Sequence, residues 1–255
     1  MELGFDMIAL LFVLACISGF IDAIAGGGGL ITIPALLATG MPPAMALGTN
    51  KLQACGGSFS ASWYFIRQKA VDLRSVWFLI VCTFIGAALG TILVQQIDAS
   101  FLKKILPFLI LAIGLYFLFS PNLGAVDKHH RVSLSVFALT AGFGVGFYDG
   151  FFGPGTGSFF SLAFVALLGF NLAKATAHAK VLNFTSNSAS LLFFILGGHV
   201  VWGIGFVMML GQFLGARVGA KMVLTKGQKL IRPMVVLMSL IMTIKLAIDN
   251  GWFNG

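Results

Sequence analysis

Ten apolar segments follow one another along this chain, at 5–25, 30–40, 44–66, 76–96, 103–120, 132–151, 157–170, 173–196, 202–222 and 231–249. Eight are long enough to cross a bilayer unaided, at about 20 residues per crossing. That succession constrains the fold more than any motif. The 255 residues include only 16 Lys and Arg and 8 Asp and Glu, too few to coat a soluble domain. The polar–apolar alternation of an outer-membrane barrel is missing. The sequence therefore describes an all-α integral membrane protein. Its composition excludes a disordered chain, a disulfide scaffold and a nucleic-acid binder.

The net charge of +8 reads as a topology signal, because Lys and Arg collect in cytoplasmic loops of membrane proteins. Cys16, Cys55 and Cys82 form no C-x-x-C, so no redox or zinc motif is present, and neither a metal nor a cofactor is expected. Glu2 and Asp6 open the chain with no basic residue beside them. A cleaved signal peptide starts positively charged, so the first apolar segment is expected to be retained.

The two halves resemble each other. Gly19-Phe20-Ile21-Asp22 matches Gly146-Phe147-Tyr148-Asp149 at an offset of 127 residues. Beyond the glycine-rich runs the offset is 129: Gly40 meets Gly169, Lys51 meets Lys180, and Gly86 and Gly90 meet Gly215 and Gly219. The reading is two fused repeats, 1–120 and 132–255, joined by a cytoplasmic linker at 121–131. Each repeat holds one short apolar segment, 30–40 or 157–170, directly after its glycine run.

Whether the short segments cross decides the topology. Four extended glycines cover ~13 Å and eleven helical residues ~16 Å, which together just span a hydrocarbon core of about 30 Å. That gives five crossings per repeat, ten in all, with the second repeat inverted. The basic loop residues then divide 10 on one side against 2, Lys103 and Lys104, on the other. Eight crossings would divide them 5 against 7. The positive-inside rule favours ten, with both termini outside the cytoplasm.

Inverted repeats with interrupted helices point to a secondary transporter. A helix that starts after a glycine loop aims free N–H groups and a positive dipole end at that loop, which suits an anion. The candidate binding positions are the runs Gly26, Gly27, Gly28, Gly29 and Gly153, Gly155, Thr156, Gly157. By contrast, Gly86, Gly90, Gly211, Gly215 and Gly219 read as close helix packing.

Five ionisable residues fall deep in apolar segments: Asp22, Lys51, Asp149, His178 and Lys180. Such groups are costly in hydrocarbon and are usually paired or functional. Depth at 1.5 Å per residue brings Asp22 level with Lys180 and Asp149 level with Lys51. Two ion pairs between the repeats follow, with Asp22, Asp149 and His178 as candidate gating or proton-coupling groups. Thr176, Lys180, Asn183, Asn187 and Ser190 share one helical face by their 4-3-4-3 spacing. Such a face serves either a small anion or helix–helix hydrogen bonding. His129, His130 and His199 receive no role.

Gly19-Phe-Ile-Asp22, the Gly26–Gly29 run, Gly48-Thr49-Asn50-Lys51 and Gly146-Phe-Tyr-Asp149-Gly-Phe-Phe-Gly-Pro-Gly-Thr-Gly157 together resemble the TauE/SafE sulfite exporter family, also called the toluene-sulfonate uptake permeases. The resemblance covers about residues 6–248. It implies a multi-pass permease of the bacterial inner membrane for sulfite, a sulfonate or a related organosulfur or organic acid. It also implies Thr49, Asn50, Lys51, Thr156, Lys180, Asn183 and the glycine runs as substrate contacts. The expected partners are a small anionic solute and the lipid bilayer, with a homodimer plausible for so small a permease. Rival readings are a passive anion channel, a scaffold, and an intramembrane aspartyl protease built on Asp22 and Asp149. The protease lacks its Gly-x-Gly-Asp element.

Overall fold

In the computed structural model, residues 4–96, 115 and 126–249 are described. The apolar segment at 103–120, apart from Leu115, and the first part of the linker lie outside the described residues. Nine helices, and no strand, are found among those described. They are α1 (Phe5–Ala25), α2 (Gly29–Ala38), α3 (Pro43–Arg67) and α4 (Leu73–Val94) in the first half. The second half contributes α5 (Leu134–Phe151), α6 (Thr156–Leu168), α7 (Leu172–Leu196), α8 (Trp202–Lys226) and α9 (Gln228–Asp249). Helix α5 contains a π-helical turn at Ala138–Gly142.

Five of these, α1, α4, α5, α7 and α8, are long and apolar enough to cross a membrane. An α-helix satisfies its own backbone groups, which hydrocarbon requires. Local chemistry sets the ends. Asp72 accepts from the N–H of Arg74, Ser133 from that of Val136, and Asn171 from that of Lys174, each a side-chain cap on orphan donors. The outer faces carry large apolar side chains: Leu10, Val13 and Ile17 on α1, Trp77 and Leu89 on α4, Leu210, Leu214 and Val218 on α8. Exposed apolar patches of this extent mark a lipid-facing surface. Helix α3 is different. Its inward residues include Asn50, Lys51, Gln53 and Ser58, so it is a polar helix enclosed by apolar ones.

Glycine sets the central packing. The carbonyl of Phe143 lies where a Gly86 side chain would project, and that of Phe147 where one of Gly90 would. In the other half, Gly215 and Gly219 face the carbonyls of Cys16 and Phe20 in the same way. These are matching positions of the two repeats, so α4–α5 and α8–α1 are the same pairing made twice. Each joins a helix of one half to a helix of the other. Hydroxyls extend the first pairing: Thr83 donates to the Gly142 carbonyl and Thr91 to that of Gly150, both at 3.1 Å.

The extended conformation assumed for the glycine runs is not what forms. Gly26 is left-handed (φ 74°) and ends α1, while Gly28 is already helical (φ −58°, ψ −44°). The run is a tight turn, and α2 runs back along α1. Ser18 donates to the Gly28 carbonyl at 2.9 Å, and Leu36 reaches the cluster of Leu11 and Ala15. The second half repeats the hairpin. Gly153 and Gly155 are left-handed (φ 94° and 81°), and Phe164 of α6 packs at a tilt against Phe137 of α5 with centroids 4.7 Å apart. The physical reason is that glycine alone adopts left-handed angles without strain, which makes a hairpin cheaper than four extended, unpaired residues in an apolar setting.

Candidate functional site

The two hairpin turns meet. Any side chain at Gly26 would run into the backbone of Gly157 and Ser158, and the Ser158 hydroxyl donates to the Ala25 carbonyl. Bare backbone at both turns brings the starts of α2 and α6 to one place, beside the middles of α3 and α7. There lies a small polar cavity of about 20 Å³, room for about one water molecule. The first half lines it with Asp22, Gly26, Gly29, Asn50, Lys51 and Ala54. The second half adds Asp149, Gly153, Thr156, Asn183, Asn187 and Gln212.

Both ion pairs placed by the depth argument are formed. Lys51 Nζ lies 3.0 Å from Asp149 Oδ1, and Lys180 Nζ lies 2.8 Å from Asp22 Oδ2. Both lysines are almost wholly buried. Each glycine turn also approaches a lysine. A side-chain atom at Gly153 would sit 3.2 Å from Lys51 Nζ, and one at Gly157 would sit 3.0 Å from Lys180 Nζ.

The surroundings of the pairs differ. Lys51 also donates to the Asp149 carbonyl at 2.6 Å and to Asn187 Oδ1 at 3.2 Å. The Thr156 hydroxyl lies 2.8 Å from Asp149 Oδ1 and 2.6 Å from the Gly153 carbonyl, so its one proton is shared between these two acceptors. Lys180, in contrast, has Asp22 as its one hydrogen-bond partner among the described residues. Among the described residues Asp22 Oδ1 accepts only the Gly28 N–H, at 3.2 Å, and Asp22 is 14% exposed where Asp149 is 2%.

Of the other expected positions, Asn50 is a cavity residue whose Oδ1 accepts from Thr32 and Gln53, both at 2.7 Å. Asn183 Oδ1 accepts from Asn187 Nδ2 at 2.9 Å. Gly27, Gly28, Gly155, Gly157 and Lys180 stand behind the lining rather than in it. Thr49 is turned away, because its hydroxyl accepts from the N–H of Val201 at 3.0 Å, so it ties α3 to the start of α8. His178 is also turned away. It packs against Phe164 and Phe170, and Nδ1 is 2.8 Å from the Lys174 carbonyl. In the polar stripe, Thr176 is spent on a carbonyl of its own helix.

Gln212 was not singled out by the sequence reading, yet it lines the cavity and packs against Gly19, Gly28 and Gly57. The signal was available: it is the lone amide of α8. Two acceptor oxygens here are buried without a partner, Asp149 Oδ2 and Gln212 Oε1. Among the described residues no cluster of His, Cys, Asp or Glu is suited to a metal ion.

The site is thus a small polar space with Lys51, Asp22 and Asp149 in its wall and Lys180 directly behind it, at the junction of two helix starts. The family model described as "Sulfite exporter TauE/SafE" matches residues 11–246. A "Probable membrane transporter protein" of Haemophilus influenzae is 64% identical, with all of both chains covered. The "Probable membrane transporter protein YfcA" of Escherichia coli K12 is 61% identical over 96% of this chain and 91% of its own. A "Probable membrane transporter protein ORF9" of a Sinorhizobium species is 51% identical over 97% and 95%. With the membrane-crossing helices and a buried polar cavity between them, these matches identify the chain as a transmembrane transporter of the TauE/SafE sulfite exporter family.

Proposed function

We propose that this protein is a secondary carrier of a small anion, of the sulfite, sulfonate or short organic-acid class, in the bacterial inner membrane. The observation that carries the reading is the pair of buried lysines, Lys51 and Lys180, set beside a cavity into which the starts of α2 and α6 point. Helix starts favour negative charge, and a buried ammonium is costly unless it has an anionic partner. Asn50, Asn183, Asn187 and Thr156 supply neutral donors around the solute. The two pairs join the halves, so separating one of them at a time opens the cavity to one side at a time.

The topology that supports alternating access is ten crossings in two inverted repeats, with the linker in the cytoplasm. The α4–α5 and α8–α1 pairings, related by the repeat, support it. The hairpins turn α2 and α6 back alongside α1 and α5, their ten and thirteen residues rising about 15 and 20 Å, half to two thirds of the hydrocarbon core. The protein acts by moving a solute, not by transforming one.

The test is anion counterflow in proteoliposomes with sulfite, sulfate, sulfoacetate, ethanesulfonate, benzenesulfonate and propionate. The expected result is saturable exchange of at least one of these, lost in Lys51→Ala/Lys180→Ala protein that still elutes as a folded species. Flux of none of the six from folded wild-type protein would end the anion reading.

A further inference from the structure

The charges around the cavity cancel: Lys51 and Lys180 against Asp22 and Asp149. An anion that enters alone leaves this buried site with one uncompensated negative charge, which a low-dielectric interior strongly opposes. An anion that enters with one proton leaves it balanced. Resting on the anion-carrier reading, we propose that each anion is taken up with one proton, that Lys180 receives the anion, and that Asp22 receives the proton.

The two carboxylates are not equally free to do this. Asp149 is held by Lys51 and by the Thr156 hydroxyl, and Lys51 is held by three acceptors. Lys180 has only Asp22, so an anion that replaces Asp22 on it breaks one contact and gains two unused N–H donors. Asp22 is also the more exposed carboxylate, hence the one that water reaches. Once protonated it becomes an O–H donor, and an acceptor without a partner stands close by. A side-chain atom at Gly28 would lie 2.8 Å from Asp22 Cβ and 3.1 Å from Gln212 Nε2, and the Oε1 of that amide is buried and unpaired. An anion satisfies no acceptor, whereas a protonated carboxyl does.

The charged and titratable groups that face Asp22 are Lys180 of α7, Lys51 of α3 and Asp149 of α5. Helices α2 and α6 contain none. Helix α8 faces it with Gln212, and its cations Arg217, Lys221 and Lys226 are exposed, as are Lys229 of α9 and Asp6 of α1. His178 is turned into an aromatic cluster.

The experiment uses full-length protein in proteoliposomes with an internal pH dye and the voltage clamped by potassium and valinomycin. The probes are ethanesulfonate and benzenesulfonate, monoanions whose conjugate acids are strong enough that the anion brings no proton of its own. An inward gradient is expected to acidify the lumen, one proton per transported anion. Apparent affinity should fall as external pH rises, approaching tenfold per unit on the alkaline side. In Asp22→Asn both the acidification and the pH slope disappear; Asp22→Glu restores them, which separates coupling from misfolding; Asp149→Asn keeps the slope. Anion flux without acidification overturns the inference and leaves the carrier reading standing. Loss of coupling in Asp149→Asn but not in Asp22→Asn overturns the assignment to Asp22. Transport of sulfite or propionate with neither sulfonate overturns it too, because those weak acids carry their own proton. Flux of none of the six anions overturns both readings.

Discussion

The two lysine–aspartate pairs occupy matching positions of the repeat, yet only one is tightly held. Around Lys51–Asp149 the second half supplies a hydroxyl at Thr156 and an amide at Asn187. The matching first-half residues around Lys180–Asp22 are Gly29 and Ser58, and neither reproduces those bonds. Ser58 donates to the Ala54 carbonyl of its own helix instead. The two pairs sit in similar helix settings, and differences at a few side chains leave one pair a fixed joint and the other a loose one. The side-chain donors differ while much of the backbone approach is shared, because Gly86, Gly90 and Gly146 in one helix pairing correspond to Gly215, Gly219 and Gly19 in the other.

The largest expected effect comes from removing each lysine in turn. Lys51→Met leaves Asp149 buried with a single remaining hydroxyl donor, a change that costs about 3–5 kcal/mol in buried pairs. Lys180→Met leaves Asp22, which water reaches, so its cost should be well below that. Thermal unfolding of the purified variants in detergent measures the gap, and equal losses would break the comparison. Next is Thr156→Val, which keeps the shape but deletes the donor to Asp149. Hydrogen bonds to charged groups contribute about 1.5–3 kcal/mol, so Thr156→Val should be clearly destabilised and Thr156→Ser nearly unchanged.

A third pair of variants checks that the halves agree where they are meant to. Gly86→Ala and Gly215→Ala each force a methyl group onto a backbone carbonyl of the facing helix. Overpacking of this kind costs about 1–3 kcal/mol. The two losses should match within a few tenths of a kcal/mol, since the geometry is repeated. A large mismatch would mean that the halves differ in packing as well as in polar contacts.

Much of this was legible in the sequence, for identifiable reasons. Apolar length and the scarcity of charge announce membrane helices, and the offset between Asp22 and Asp149 and between Lys51 and Lys180 locates the ion pairs. What was not legible turns on direction. The glycine runs show that the backbone departs from the helix there, but not whether it extends or reverses; Gly26 at φ 74° reverses it. Thr49 stands next to Asn50 in the motif, yet adjacent residues of a helix point about 100° apart, and only Asn50 meets the cavity. His178 lies two residues from Lys180 and faces the opposite side for the same reason. Gln212 was missed because its match in the first half is Thr83, so the repeat did not flag it.

The smallest expected effect asks whether the looser pair can be made to resemble the tighter one. Gly29 is the first residue of α2, as Thr156 is of α6. A Cβ there meets nothing closer than 3.6 Å, from Asn50 Nδ2 and Ile33 Cδ1, and Gly29 is absent from the positive-φ glycines. Gly29→Ser therefore fits without strain and places a hydroxyl where Thr156 places its own, within reach of Asp22. Replacing a helical glycine contributes roughly 0.5–1 kcal/mol through the unfolded chain, and the new bond adds to that. Gly29→Ala separates the two contributions, because it shares the backbone gain and lacks the hydroxyl. If Gly29→Ser melts higher than Gly29→Ala, the missing donor is what loosens the Lys180–Asp22 pair. If the two melt together, the looseness comes from the water at Asp22, and the asymmetry between the halves is one of exposure.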